Sequence, residues 1–349
     1  MISICLIVKD EEENLKKCLS AISKLGYEIV VVDTGSRDNS KKIALEFTDK
    51  VFDYTWNNNF SDARNYSIGK ATNDYVLIID ADEEIIEFDK KEIEKIICED
   101  KVGRILRINK YSRNHEEFIY KERVNRLFNK KNFEYEGRIH EQVINKKHES
   151  YNTVNIPLIA THSGYENNEI DKKNKVERNI LLLKEELNIN GDDPYILYQL
   201  GKSYYMDQRY DEANIYFNRA LEFDLDTRLE YVIDMVESYG YSLINDKRYE
   251  DAMMLFGVYD EFKTSADFIF LIALIYMNNG MFNEAINEFL KVVNYKDCKM
   301  EGVTSYLAYY NLGVINECLG RVKDAIIYYK KCGTYPLANS RLKSLVKGE

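Results

Sequence analysis

The sequence predicts two folded parts: an α/β domain built on a doubly wound sheet, followed by an all-α domain of stacked helical hairpins. In the first third of the chain, short β-rich runs alternate with helical patterns. From about residue 194, helical patterns recur with an internal period. The chain has 349 residues, and a single hydrophobic core usually stops growing at about 250 to 300 residues. More than one core is therefore expected.

The composition restricts the class of protein. Hydrophobic residues make up 45% and charged residues 31% of the chain, which is typical of a globular protein. The net charge of -11 argues against nucleic acid as a partner. The longest apolar run, residues 268–277, is half the length of a membrane-spanning helix of about 20 residues, so no membrane span is expected. Six cysteines without zinc-like spacing, and a start without a secretion signal, predict buried thiols and a cytoplasmic protein.

The α/β domain is predicted element by element. Residues 3–8 and 28–33 are β-rich, and the helical pattern between them ends at Gly26, so the two strands should be parallel. Residues 41–54 predict a second helix and a short strand. Residues 75–79 predict a third long strand that is buried on both faces, because its apolar residues do not alternate with polar ones. Ligands of such sheets bind at the carboxyl ends of the strands.

Four segments of the all-α part share one template, in which a small residue is followed by an alanine and then by an aromatic residue. The template residues are Gly201, Ala213 and Phe217; Gly240, Ala252 and Phe256; Ala273, Ala285 and Phe289; and Gly313, Ala325 and Tyr329. The pattern resembles tetratricopeptide repeats, whose unit has about 34 residues and whose small residues let two helices touch. The predicted domains are residues 1–165 and 191–349, joined by a linker helix at 166–190.

An acidic cluster follows the third long strand. Residues i and i+2 of an extended segment face the same side, so Asp80 and Asp82 can project together. Two carboxylates suit a hard divalent cation such as Mg²⁺ or Mn²⁺. The alternative is that Asp82 caps a following helix, which Glu83 and Glu84 would open.

Polar segments at residues 7–15 and 31–40 follow the first two strands and reach the same edge of the sheet. A carboxylate there can accept a hydrogen bond from the base or ribose of a nucleotide, and the small residues around Gly35 allow close approach of the backbone. Each segment could also be a polar turn that opens a helix. Arg64 and Asn65 shortly precede the third long strand, although a lone arginine there is usually a surface residue.

Four motifs together resemble glycosyltransferase family 2, the inverting enzymes of the GT-A fold, over residues 2 to about 165. The motifs are "CLIVKDEEENL", "VVDTGSRDNS", "FSDARNYSI" and "YVLIIDADEEI". The resemblance implies a D-x-D motif, Asp80-Ala81-Asp82, that binds Mg²⁺ or Mn²⁺ together with a diphosphate. It also implies a set of residues that bind the nucleotide sugar: Val8, Glu11, Glu12, Asp33, Thr34, Ser36, Arg64, Asn65, Asp80 and Ala81. The family usually has asparagine at the position of Asp10.

Two histidines lie in motifs that also resemble this family. In relatives that share the "GRIHE" string of residues 137–141, the segment approaches the acceptor, which implies Glu141 as general base with His140 beside it. The alternative is a polar strand edge with an ordinary surface glutamate. His162 begins an "H-x-G-Y" motif, and the resemblance implies a further metal ligand. The alternative interpretation of His162 is a structural histidine of the core or of a domain interface.

The two-part arrangement resembles bacterial peptide S-glycosyltransferases. It implies metal-dependent, inverting transfer of a hexose from a nucleotide sugar such as a UDP-hexose to a peptide or protein acceptor. The repeats would present the acceptor or mediate homodimerisation. Two alternatives remain open at this point: transfer to a glycan of the cell surface, and a binding scaffold without catalytic activity.

Overall fold

The computed structural model describes residues 1–97, 101–113, 116–162 and 169–346. The chain forms two compact units, Met1–Asn174 and Lys175–Glu349. The predicted linker coincides with a helix, Glu169–Asn190, within which the division between the units falls. The domain boundaries at residues 165 and 190 stay predictions.

The first unit begins with alternating strands and helices, as predicted. Its strands are β1 (Ile2–Val8), β2 (Glu28–Asp33), β3 (Val51–Asp53), β4 (Tyr75–Ile78), β5 (Glu83–Phe88), β6 (Val102–Arg113), β7 (Glu116–Asn129), β8 (Phe133–Glu136), β9 (Gln142–Asn145) and β10 (Thr153–His162). Its helices are α1 (Glu12–Ser23), α2 (Ser40–Leu45), α3 (Phe60–Lys70) and α4 (Lys90–Ile97), followed by α5 (Glu169–Asn190).

The central sheet has eight strands in the order β3-β2-β1-β4-β7-β6-β10-β5. The first four are mutually parallel, which confirms the predicted doubly wound start, whereas β7 and β5 are antiparallel to their neighbours and make the sheet mixed. Strands β2 and β4 both pair with β1, one on each side. The strand order therefore reverses beside β1, and ligands of such sheets bind at that point.

Buried apolar side chains fix the positions of the strand ends. Helix α1 buries Leu15, Leu19 and Ile22 against the sheet and is followed by Gly26, whose φ of 68° few other residues adopt easily. Strand β1 is buried along almost its whole length, because helices cover both faces of this part of the sheet. The polar residues that follow β1, β2 and β4 therefore leave the sheet at defined points.

The segment after Asp82 is a strand and not the helix that the alternative interpretation expected. Residues Glu83–Phe88 form β5, which pairs antiparallel with β10, and the next helix begins only at Lys90. Acids often stand at a helix N-terminus, but here the segment forms a strand instead. Glu83 is 1% exposed in this strand, and its carboxylate accepts a hydrogen bond from a buried arginine, Arg126. The prediction that Glu83 and Glu84 open a helix is wrong.

The second unit is made of helices, as predicted. They are α6 (Pro194–Met206), α7 (Tyr210–Ala220), α8 (Glu230–Asn245), α9 (Tyr249–Ala252), α10 (Tyr259–Phe262), α11 (Ala266–Asn278), α12 (Phe282–Val292), α13 (Tyr306–Cys318), α14 (Val322–Lys331) and α15 (Pro336–Val346), with a 3₁₀ helix at Met253–Val258. The long apolar run 268–277 lies in α11 and is mostly buried. Among the described residues, no helix has the length and apolar character needed to cross a membrane.

The template glycine packs closely against the template aromatic residue in the first and fourth copies. A Cβ atom added at Gly201 would lie 2.8 Å from the ring of Phe217, so only a residue without a side chain allows this contact. In the second copy Leu255, not Phe256, packs against Gly240, because the helix after the turn is short and continues as a 3₁₀ helix. Phe256 instead stacks on Tyr276, with ring centroids 4.3 Å apart.

The cysteines are only partly as predicted. Cys5, Cys18 and Cys332 are buried, and burial raises the pKa of the Cys5 thiol to about 12. Cys318 is exposed, however, because it ends α13 on the solvent side, so the prediction of buried thiols is wrong there. Cys98 lies outside the described residues.

Replacing Gly313 with alanine is expected to destabilise the second unit. The new Cβ atom would lie 2.5 Å from the ring of Tyr329, which is fully buried and whose hydroxyl donates to Glu317 over 2.8 Å. Overpacking of about 1 to 3 kcal/mol should exceed the gain in helix propensity of about 1 kcal/mol. The melting temperature should fall by roughly 2 to 8 °C. The matched change at Gly257, where no atom lies within 4 Å, should leave it unchanged; equal melting temperatures for both variants would contradict the packing role.

The carboxylate of Glu28 should make stability depend on pH below about 4.5. It accepts hydrogen bonds from Ser3, Lys50 and Thr72 and joins β1, β2 and the end of α3. Burial alone would raise its pKa, but these partners outweigh burial and lower the pKa to about 2. The stabilisation is present above pH 4.5, the ordinary value, and is lost as the pH falls toward 2.

Glu28→Gln should therefore lower the free energy of unfolding by about 1 to 3 kcal/mol at pH 7. Urea denaturation at pH 7, 5 and 3 measures this, and the difference from wild type should shrink at pH 3. A difference that stays constant over this range would mean that the carboxylate charge is not the cause. Glu13→Gln, at an exposed site on α1, is the control.

Candidate active site

The ends of β1 and β2 are joined by hydrogen bonds at the edge of the sheet. The Val8 carbonyl accepts from both the backbone N–H and the hydroxyl of Thr34, at 2.9 and 3.1 Å. Asp33, 4% exposed, accepts through Oδ1 from the N–H groups of Gly35 and Ser36, both at 2.8 Å. Its other oxygen, Oδ2, is buried and has no hydrogen-bond partner among the described residues. A buried carboxylate oxygen of this kind calls for a hydrogen-bond donor.

The acids after β1 bind the loop after β2. Glu12 accepts from the backbone and side-chain N–H groups of Asn39, at 2.8 Å each, and its own N–H donates to Asp38 over 3.0 Å. The N–H of Glu11 donates to the hydroxyl of Ser40 over 2.8 Å. These contacts hold two loops of the edge together, while contact of Glu11 and Glu12 with a nucleotide stays a prediction.

Asp10, where the family usually has asparagine, adopts a left-handed backbone conformation with φ 53°. Aspartate and asparagine both tolerate this conformation better than most residues. Its Oδ1 accepts from the N–H of Arg37 over 2.6 Å, and its own N–H donates to the hydroxyl of Ser36 over 3.1 Å. Asparagine carries an equivalent oxygen, so the substitution preserves the turn.

Asp80 lies among arginines. Arg64 donates to Asp80 through Nη2 over 2.7 Å, Arg126 donates through Nη2, and Nη1 of Arg107 is 3.9 Å away. Burial alone would raise the pKa of Asp80, but Arg126 and Arg64, with help from Arg107, hold it well below its usual range. Asp80 is therefore ionised, and both of its oxygens are bound. Ala81 packs into the core of the sheet.

The turn that includes the acidic motif differs from the expected extended segment. The N–H of Glu83 donates to the Asp80 carbonyl over 3.0 Å, and Oε2 of Glu83 accepts from the Asp80 N–H over 3.0 Å. The chain therefore turns at residues 80–83, and the expectation that Asp80 and Asp82 project side by side from a strand is wrong. Asp82 contacts His162 instead, with Oδ2 and Nε2 3.2 Å apart.

His162 ends β10 and is partly buried. Burial opposes charging of the ring, but the hydrogen bond and charge of Asp82 outweigh it and raise the pKa of His162. In the neutral ring, Nε2 and Oδ2 of Asp82 form a donor set that fits a divalent cation such as Mn²⁺, which would replace the proton between them and leave other positions for water or phosphate oxygens. Among the described residues, no group of three or more such side chains is close enough to hold a metal alone. Residues 163–165 of the motif lie outside the described residues.

Helix α3 holds the turn between β8 and β9, where Glu141 and His140 lie. The side-chain amide of Asn65 accepts from and donates to the backbone of Tyr135, at 3.0 and 2.8 Å. The N–H of Phe60 donates to the Arg138 carbonyl over 2.8 Å. Asn65 is thus engaged with β8, and its contact with a nucleotide sugar stays a prediction.

Arg64 connects Asp80 with the turn between β8 and β9 that includes Glu141. It is 7% exposed, donates to Glu141 through Nε and donates to Asp80 through Nη2. Its Nη1 is buried and has no hydrogen-bond partner among the described residues. Burial would lower the pKa of Arg64, but Asp80 and Glu141 raise it, so the guanidinium stays charged. His140, next to Glu141, has a left-handed φ of 52°, which belongs to a tight turn and not to a regular strand edge.

Several residues of this site are absent from the sequence predictions. They are Arg107, Asn109, Glu122 and Arg126, all on β6 and β7. Arg126 stands beside two apolar residues, Leu127 and Phe128, in a β-rich run, and a charged residue in such a place is the signal that could have indicated Arg126. Its partner could not be read from the sequence.

Comparisons with known proteins identify the families that parts of this chain match. Residues 3–149 match glycosyl transferase family 2. The N-terminal domain is a family 2 glycosyltransferase domain. Residues 194–226, 266–297 and 306–332 of the second unit match tetratricopeptide repeats. These matches confirm the resemblance that the sequence motifs indicated.

Individual relatives are similar to parts of the chain. The SPbeta prophage-derived glycosyltransferase SunS of Bacillus subtilis is 30% identical over 62% of this chain and 52% of its own length. A TPR repeat-containing protein of Synechococcus elongatus is 46% identical over 24% of this chain and 21% of its own length. The solved structure of MamA is 21% identical, with a TM-score of 0.40 over 51% of this chain and 94% of its own. The chain thus spans about half of SunS and a fifth of the Synechococcus protein.

Proposed function

We propose that this protein is a metal-dependent inverting glycosyltransferase that moves a hexose from a UDP-sugar to a peptide or protein. The main support is the bridge formed by Arg64, which ties Asp80 of the D-x-D motif to Glu141 of the "GRIHE" turn. In this proposal Asp80 belongs to the donor side and Glu141 to the acceptor side. A scaffold without activity would have no use for such a bridge.

The donor side of the site has one hydrogen-bond acceptor and one hydrogen-bond donor that are buried and have no partner among the described residues. The buried Oδ2 of Asp33 can accept from an N–H of the base or a hydroxyl of the ribose, next to the backbone of Thr34 and Ser36. The buried Nη1 of Arg64 can donate to the sugar or the diphosphate. Val8 and Ala81 lie at the same edge but are buried, so they would support the site and not offer apolar surface to the ligand.

A divalent cation, Mg²⁺ or Mn²⁺, would be held by Asp82 and His162, with Asp80 as a further candidate. When bound, it would stabilise negative charge on the departing diphosphate. The arginines around Asp80 add positive charge to the same region.

The proposed transfer is one in-line displacement at the anomeric carbon. The acceptor thiol or hydroxyl forms a bond to the anomeric carbon from the face opposite the diphosphate. The bond from that carbon to the diphosphate oxygen breaks, and the nucleoside diphosphate leaves with the electron pair. Glu141 takes the proton of the acceptor, and Arg64 holds Glu141 in place through Oε1. His140 flanks Glu141 in the same turn. A thiol acceptor, with an ordinary pKa of about 8.5, would need less help from Glu141 than a hydroxyl would.

The repeats support a peptide or protein as the acceptor. On the first two repeats, Tyr195, Tyr198 and Tyr231 form a cluster with centroids 5.3 to 6.0 Å apart. Tyr195 and Tyr231 are partly exposed. Such rings offer a large amphipathic contact area. The same surface could instead take part in a homodimer, which sedimentation analysis would detect.

A thermal-shift screen of nucleotide sugars, with and without Mn²⁺, tests the donor part of this proposal. A ligand that binds only the folded state raises the melting temperature, by an amount that grows with its concentration relative to Kd. UDP-hexoses with Mn²⁺ should give the largest shift. Asp33→Asn should reduce this shift, because an NH₂ group would take the place of Oδ2 and could not accept a hydrogen bond from the nucleoside. If no nucleotide sugar shifted the melting temperature, the proposed activity would be rejected.

A further inference from the structure

The side chains behind His162 form an ordered chain of hydrogen bonds. His162 and Asn109 are direct neighbours on β10 and β6, and Arg107 lies two residues before Asn109 on the same face of β6. Glu122 lies opposite Arg107 on β7. The register of three adjacent strands therefore brings these four side chains together.

The direction of each hydrogen bond follows from the chemistry of its partners. Arg107 can only donate, and it donates to Oε1 of Glu122 through Nε and Nη2, at 3.1 and 2.9 Å. The same oxygen lies 2.6 Å from the amide of Asn109. A carboxylate bound by arginine is an acceptor, so Asn109 must present its NH₂ group to Glu122.

A second acceptor fixes the same orientation of Asn109. Its NH₂ group also faces the Tyr120 carbonyl at 3.5 Å, and a carbonyl cannot donate. The amide oxygen of Asn109, which is 6% exposed, therefore points at Nδ1 of His162, 3.0 Å away. Only a ring that carries its proton on Nδ1 can satisfy that oxygen.

This arrangement has a consequence for the other ring nitrogen. In a neutral ring with the proton on Nδ1, Nε2 carries a lone pair and faces Oδ2 of Asp82, which also carries lone pairs, at 3.2 Å. Two acceptors that face each other at this distance repel. A cation between or beside them removes the repulsion and uses both lone pairs.

We propose that Arg107, Glu122 and Asn109 are positioning residues that hold the proton of neutral His162 on Nδ1, so that Nε2 and Asp82 together bind Mn²⁺. This inference rests on the proposed function for the identity of the cation. An imidazole ligand favours Mn²⁺ over Mg²⁺, which prefers oxygen ligands. None of the three positioning residues touches the metal.

Mn²⁺ affinity, measured by electron paramagnetic resonance with and without UDP, tests the effect on the metal. Glu122→Leu removes the close acceptor at 2.6 Å and leaves only the Tyr120 carbonyl at 3.5 Å, so Asn109 can turn its amide; we expect Mn²⁺ to bind about 10- to 100-fold more weakly. Glu87→Gln, at an exposed site on β5, should bind as wild type does. In the double variant Asn109→Asp/Glu122→Leu the new carboxylate, which can only accept, again accepts from Nδ1 of His162. The fixed acceptor at Nδ1 is restored, and affinity should return to within about threefold of wild type.

The tautomer of His162 can be read directly by ¹⁵N NMR at a pH that makes the ring neutral. Wild type should carry the proton on Nδ1, and Asn109→Ala should move it to Nε2. A proton on Nε2 in wild type, or equal Mn²⁺ affinity in wild type and Glu122→Leu, would overturn this inference while leaving the proposed activity intact. Absence of Mn²⁺ binding by wild type, with and without UDP, would instead reject metal dependence, and the inference with it.

Discussion

Replacing Asp82 with alanine is expected to lower the rate of Mn²⁺-dependent cleavage of a UDP-sugar by about 100- to 1,000-fold. Asp82 supplies the carboxylate of the proposed cation site, 3.2 Å from His162. Its loss leaves His162 and Asp80, and Asp80 is already bound by Arg64 and Arg126, so Mn²⁺ should bind much more weakly and the arginines would have to stabilise the charge on the departing diphosphate. Initial rates of UDP release at several Mn²⁺ concentrations measure the effect.

The Asp82 variant should remain folded, because its side chain is 17% exposed and its partner is one partly buried histidine. Asp82→Asn, which keeps the shape, should lose nearly as much activity, and Asp49→Ala, at an exposed turn, should lose none. Melting curves of all three separate loss of folding from loss of chemistry. Full activity of a folded Asp82→Ala protein would rule out Asp82 as a metal ligand needed for the reaction.

Replacing Arg64 with lysine is expected to lower kcat by about 100-fold. The arginine donates to Asp80 and Glu141 through different nitrogens of one planar group, whereas a lysine has one ammonium and cannot reproduce both contacts. Glu141 would lose the group that orients it, so proton transfer from the acceptor should suffer most. Asp80 keeps its contact with Arg126. KM for the UDP-sugar should therefore change less than kcat.

Steady-state kinetics with varied donor separate these two effects for Arg64→Lys. Arg228→Lys is the matched control, because the side chain of Arg228 is 88% exposed in the second unit and pairs with Asp226, two residues before it in the chain. If Arg64→Lys raised KM and left kcat unchanged, Arg64 would serve donor binding alone. The bridge to Glu141 would then have no part in the chemical step.

The strands that carry the site could be predicted from the sequence because of their burial. Strands β1, β2 and β4 are covered on both faces, so each reads as a continuous apolar run followed at once by polar residues. That pattern was enough to place Asp33 and Asp80 at one edge of the sheet. The pattern of small residues likewise predicted the helical hairpins of the second unit, because Gly201 and Gly313 each lie against an aromatic ring of the following helix.

The partners of the acidic motif could not be predicted in the same way. Arg126 lies 46 residues after Asp80 in the chain and reaches it only because β7 pairs with β4. The preference of acidic residues for the start of a helix also gave a wrong prediction at Glu83, because the segment pairs with β10 and forms a strand. Asn109 and Glu122 belong to strands that no motif covers. Contacts between distant strands are set by register, and register depends on the whole sheet.

The most direct test of the proposed reaction is to follow cleavage of an α-linked UDP-hexose by ¹H and ³¹P NMR with Mn²⁺ and wild-type protein. In-line displacement at the anomeric carbon should release UDP and give a first-formed product in the β configuration, with no cleavage by Asp82→Ala. Release of UMP and a sugar phosphate, or a first-formed product that keeps the α configuration, would contradict an inverting glycosyltransferase.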